Sequence, residues 1–208
     1  MAGYLLLFLQ PTTDQMEEFP RWRREFFPNH PDITHSVYLD ASDAATEENK
    51  YRHLNIYRFN RLHRFDESLH DQLHAYYTDP RTAYLHWHVY TSIAETRQPS
   101  LSAPTVVTVG MAIPTDAISR ELLSEWYSKE HIPALATVRG WQAAFRLQLV
   151  SSHDGAVRFT APYLAIHEWE EPNELGGETW RKAIMTPGTK AIEDLQTAPM
   201  QRRVWRLA

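Results

Sequence analysis

The chain repeats itself, and few features restrict a fold more. GYLLLFLQP, starting at Gly3, returns as VVTVGMAIP at Val106, 103 residues later. EFFP at Glu25 returns as EHIP at Glu130, 105 residues on, and HLNIYRF at His53 as YLAIHEW at Tyr163, 110 residues on. The offset drifts only as loop insertions would make it drift, which is the signature of a duplicated unit. Each copy reads β-α-β-β-α-β: apolar, alternating runs for strands, and capped runs of helical period between them. In the first copy Pro20 predicts a split first helix, and Asp66–Tyr77 is the second. In the second copy the helices are TDAISRELLSEWYSKEHIPAL and a run broken near Pro187 and Gly188. The stretch AETRQPSLSAP separates them, so the copies are taken as residues 1–98 and 99–208.

A split βαβ unit carries four antiparallel strands with both helices on one sheet face. The bare face needs cover, and the other copy supplies it, predicting two sheets closed face to face into one barrel. Strand alternation sets which side chains point where. In HLNIYRF, Leu54 and Ile56 oppose His53, Asn55 and Tyr57. In YLAIHEW, Leu164 and Ile166 oppose Tyr163, His167 and Trp169, and in YLHWHVY, Trp87 opposes His86, His88 and Tyr90. The expectation is that aliphatic faces pack under helices and the His/Tyr/Asn faces line a small-molecule pocket between the sheets.

Composition narrows the partners. With 208 residues, net charge −5 and no long basic run, neither nucleic acid nor an anionic membrane is an expected partner. There is no cysteine, which removes disulfides, thiol nucleophiles and thiolate metal sites. The first apolar run is short and lacks a basic start, so it reads as a buried strand and the chain as cytoplasmic.

His131 in EWYSKEHIPALATVRGW is the leading catalytic candidate, a proton-transfer group at a helix end; a dipole-stabilised helix-end histidine paired to Glu130 is the plain alternative. Tyr127 shares its face one turn earlier, to orient it or simply to pack. Tyr38, His53, Tyr57, His86, His88, Tyr90 and His167 are candidate substrate-binding groups, with a polar seam as the alternative for each. His86 and His88 also stand at the spacing of paired strand ligands, but no further ligand is identifiable and no metal is expected. No phosphate loop or nucleophile elbow is present.

EWYSKEHIPALATVRGW, the arginine-bearing strand AAFRLQ, APYLAIHEWEEPNEL and WRKAIMTPGTK together resemble the dimeric α+β barrel superfamily, and more narrowly its EthD-like tandem-repeat members. The resemblance covers the C-terminal copy throughout and the N-terminal copy in element order, with Phe26 where the histidine would be. It implies an α+β fold of two fused ferredoxin-like repeats, and enzymes that mostly need no metal or organic cofactor. The expected function is a cofactor-independent isomerase, cyclase or lyase acting on an aromatic or polyketide-like small molecule. A non-catalytic binding barrel and a cofactor-free monooxygenase are the alternatives. The duplication makes a monomer as reasonable as a homodimer.

Overall fold

The computed structural model describes residues 2–15, 17–25, 31–45, 51–60, 67–77, 79–97, 100–153 and 161–208. Phe26, with which the repeat comparison fills the histidine position of the first copy, lies outside them. Among the described residues eight strands form: β1 (Gly3–Pro11), β2 (Ile33–Ala41), β3 (His53–Phe59), β4 (Thr82–Thr96), β5 (Thr105–Met111), β6 (Trp141–His153), β7 (Tyr163–Trp169) and β8 (Gln201–Leu207). They close into an antiparallel barrel in the order β1-β3-β2-β8-β5-β7-β6-β4. Each half therefore contributes a 4-1-3-2 sheet, the ferredoxin-like order, as the duplication predicts.

Two seams join the halves. The β4–β6 ladder is long, running from Trp87 opposite His153 to Thr96 opposite Ala144. The β2–β8 ladder is short, from Leu39 opposite Leu207 to Ala41 opposite Trp205.

Helices cover the outside. On the N-terminal half these are α1 (Phe19–Trp22) and α2 (Glu67–Tyr77). Pro20 stands in the first turn of α1, where its missing amide costs no helical bond, so it marks the start of this four-residue helix. On the C-terminal half, α3 (Ala117–Trp126) starts where Asp116 accepts the Ser119 amide at 3.0 Å. A π-helical turn (Tyr127–His131) and α4 (Ile132–Leu135) continue it. Then come α5 (Glu178–Ile184) and α6 (Pro187–Asp194), the latter capped by Thr186 with Pro187 at its first position. Among the described residues no helix is long and apolar enough to cross a membrane.

The expected allocation of strand faces is half inverted. Leu54, Ile56, Leu164 and Ile166 point into the barrel, where they pack with Leu6, Phe145 and Trp205 from both halves. Tyr57 packs instead with Phe19, Leu69 and Leu73 under the N-terminal helices, and Tyr163 with Leu123 and Trp126 under the C-terminal ones. On β4 the expectation holds: Leu85, Trp87 and Val89 face outward and Tyr90 inward. A closed eight-stranded barrel leaves an interior that side chains just fill, and the most apolar alternating faces occupy it. The space for a ligand lies elsewhere, between sheet and helices.

Candidate active site

The EHIP segment does not continue α3 as a regular helix. The Ile132 amide donates to Tyr127 O, five residues back, and makes the Tyr127–His131 turn π-helical. Pro133 has no amide hydrogen, so it cannot hold the ordinary bond to residue 129. Such single π turns inside helices are frequent at functional sites. The turn brings three rings together: His131 stacks on Trp126 at 4.3 Å between centroids and meets Tyr127 edge-on at 5.5 Å.

Glu130 faces away from this cluster. Its carboxylate accepts the Gly188 amide at 3.0 Å, at the positive N-terminal end of α6. Gly188 leaves room for that close approach: a Cβ would stand 2.4 Å from a carboxylate oxygen, and Glu130 would have to shift. Glu130 thus clamps the π turn to α6.

Under these helices, against the outer face of β5, β7 and β8, lies a half-open cavity of about 130 Å³. Its walls are largely apolar, with Trp126, Trp169 and Trp180 set among aliphatic side chains, and both His131 and His167 open onto it. Arg202 and Glu193 supply charge at its exposed side. The two imidazoles sit edge-on, 5.9 Å between centroids.

Both histidines are neutral at pH 7. Burial pushes His131 down to about 4 although the nearby Glu130 charge pulls the other way. Burial pushes His167 to about 3, helped by the positive influence of His131 and Arg202. Their tautomers differ in definition. Trp141 Nε1 donates to His167 Nδ1 at 3.3 Å, which places the His167 proton on Nε2. His131 Nδ1 is buried and has no partner among the described residues, so no neighbour fixes its tautomer. Burial raises Tyr127 well above the ordinary phenol range, against the opposing Arg146 charge, and its hydroxyl donates to Met111 Sδ at 3.8 Å. Tyr127 is therefore a proton-bearing wall of the site.

Of the residues named from sequence, only Tyr127, His131 and His167 line the cavity. Tyr38, His53 and Tyr57 lie under the N-terminal helices: Tyr38 donates to Arg24 O, and Tyr57 accepts from Asn55 Nδ2 at 3.0 Å. His53 stacks on Phe19 and shares the Asp40 carboxylate with buried Arg23, each at 2.6 Å. His86, His88 and Tyr90 face the barrel interior: His86 bonds the Tyr51 hydroxyl at 2.5 Å, and Tyr90 donates to Ala161 O. These six do not reach the cavity. Among the described residues no group of three or more His, Asp or Glu is placed to hold a metal ion.

Trp126, Trp180 and Arg202 are not among the candidates named from sequence, and Trp169 appears there only as sharing the face of His167. Trp126 is five residues from His131, and Trp169 alternates with His167, so their proximity was readable. That their shared face looks out under the helices was not.

No family model matches this sequence, and no curated protein does. Solved structures do match. An anthrone oxidase-like protein superposes with a TM-score of 0.63 at 14% identity, over 100% of this chain and 91% of that one. A candidate monooxygenase from Fusobacterium nucleatum gives 0.60 at 10% identity, over 99% and 92%. A ferredoxin-fold protein related to antibiotic biosynthesis monooxygenases, from Listeria monocytogenes, gives 0.53 at 12% identity, over 99% and 95%. The shared feature is the ferredoxin-like, dimeric-type α+β barrel over the whole chain, and at these identities it is a likeness of fold.

Proposed function

We propose that this chain, as an EthD-like tandem-repeat barrel, is a cofactor-independent enzyme that moves a proton on a flat aromatic or polyketide-like molecule. The observation that carries the reading is the pair of neutral imidazoles, edge-on to each other in the wall of a mostly apolar cavity that three tryptophans help to line. The tryptophans bind a planar ring system by area and edge contacts. His131, uncharged down to about pH 4, accepts the proton. His167, held by Trp141 as the Nε2–H tautomer, donates to the oxygen on which negative charge develops. Tyr127 positions the His131 ring. The outcome is an isomerisation, cyclisation or lyase step, in a cytoplasmic monomer or homodimer.

A cofactor-free monooxygenase is the second reading, favoured by the fold likeness to an anthrone oxidase-like protein. It begins with the same deprotonation; the carbanion then adds dioxygen through a new C–O bond, and the protonated hydroperoxide loses water to leave a carbonyl.

Deuterium wash-in tests both. Anthrones and phenolic ketones are incubated with enzyme in D2O, with oxygen uptake followed in parallel. Exchange at the acidic C–H that disappears in His131→Gln supports proton transfer; accompanying oxygen uptake selects the oxygenase. Exchange that survives His131→Gln unchanged refutes the assignment.

A further inference from the structure

A second depression lies on the other side of Tyr127, distinct from the cavity. It is a groove of about 400 Å³ between the end of β4, the π turn and β6. Its floor is apolar, with Ile132, Pro133 and Ala136, and two arginines flank it, Arg97 and Arg146. Each guanidinium rests on an aromatic ring, Arg97 5.2 Å from the Trp141 centroid and Arg146 5.0 Å from Tyr127. Neither meets a carboxylate among the described residues. Burial lowers Arg146 from its ordinary value with no acidic side chain to counter it, only the Tyr127 hydroxyl. A half-buried cation without a counter-ion is costly, and an incoming anion would relieve that cost.

Arg97 adds a separate sign. It holds φ +60, the left-handed region that a long side chain rarely adopts. That angle turns the chain just past β4, where the Arg97 side chain lines the groove.

We propose that this groove binds a small organic anion, with its carboxylate between Arg97 and Arg146 and its apolar body on Ile132, Pro133 and Ala136. The site also communicates with the cavity. Tyr127 walls both spaces, and Trp141, under Arg97, is the donor that fixes the His167 tautomer. The binding proposal is independent of any catalysis.

Benzoate is the probe, titrated against full-length protein by calorimetry and by the Trp141 indole N–H signal, assigned with Trp141→Phe. Inorganic phosphate is the control for a bare oxyanion. Saturable benzoate binding that shifts the Trp141 signal is expected. It should weaken at least tenfold in Arg97→Gly, which keeps the left-handed backbone accessible, and in Arg146→Gln. Arg146→Lys should retain binding within a few-fold, and Arg202→Gln, whose side chain lines the cavity and not the groove, within twofold. Circular dichroism establishes that each variant is folded. Three results overturn the proposal: no saturable benzoate binding, affinity unmoved by loss of either arginine, or phosphate binding as tightly as benzoate. Loss of affinity in Arg202→Gln alone would put benzoate in the cavity and overturn it equally.

Discussion

His131 and His167 differ in what their second nitrogen does, and their roles follow from that. His167 is a fixed donor, because Trp141 already occupies Nδ1. His131 is free to take a proton. His131→Ala should therefore lower turnover by about 10²- to 10⁴-fold, the usual worth of a positioned proton-transfer group, with KM changed less. Trp141→Phe should reduce kcat by freeing the His167 tautomer while leaving His131 in place. Steady-state kinetics on the substrate found by wash-in distinguishes the two. Acidity gives a second prediction. Unfolded histidine takes its proton near pH 6.5, whereas His131 resists to about 4, and His88 and His167 to about 3. Between those values the unfolded chain binds more protons, so stability is full above about pH 6.5 and falls as the pH drops towards 4. Each buried histidine contributes a slope of up to about 1.4 kcal/mol per pH unit there. Urea midpoints from pH 7 to 4.5 should show that decline, and His167→Gln should flatten it by one histidine's share. An unchanged slope in that variant would show that burial does not hold His167 neutral.

The π turn and α6 behave as one element because Glu130 ties them. Gly188→Ala places a methyl group against that carboxylate, so it should destabilise by about 1–3 kcal/mol, as overpacking does, and disturb His131 next door. Glu130→Ala removes the obstacle, so the double variant should be more stable than the sum of the two single effects implies, a coupling that urea denaturation measures. Additive losses would mean the clash is relieved by side-chain rotation instead. The sequence announced this segment more clearly than any other: Glu130, His131, Ile132, Pro133 and the break at Pro187-Gly188 were all visible. Strand order and the closed barrel were legible too, since the duplication forces two half-covered sheets to meet. Face direction was not. Alternation says that Ile166 and His167 point opposite ways, but both sides of β7 are buried, one by the opposite sheet and one by helices. With two dry sides available, polarity alone does not say which is the interior. Tyr38, His53, Tyr57, His86, His88 and Tyr90 consequently parted from His131, and alternation gave the tryptophans of its cavity no site role.

The barrel makes the two halves a single body. Its interior cluster takes Leu6, Leu39 and Ile56 from one half and Phe145, Ile166 and Trp205 from the other. Neither half can bury that face alone, so unfolding should be a single cooperative step followed identically by far-ultraviolet circular dichroism and tryptophan fluorescence. The weak point is the short β2–β8 seam, and Trp205 sits at it. Its side chain is fully buried, packs 6.4 Å from Phe8 of the opposite half, and donates from Nε1 to Thr108 Oγ1 at 2.9 Å. Trp205→Ala empties a large volume between the sheets and should cost about 3–5 kcal/mol. Trp205→Phe keeps most of the area, loses the indole bond, and strands the Thr108 hydroxyl, so about 1–3 kcal/mol is expected. Because the cavity with His131 hangs on the outer face of the C-terminal sheet, neither variant touches it directly. Among molecules still folded at low temperature, ligand affinity in that cavity should stay near the wild-type value while the unfolding midpoint falls. If Trp205→Ala instead splits unfolding into two transitions, with the His131 half surviving the first, the halves are separable units and the shared interior does not bind them into one.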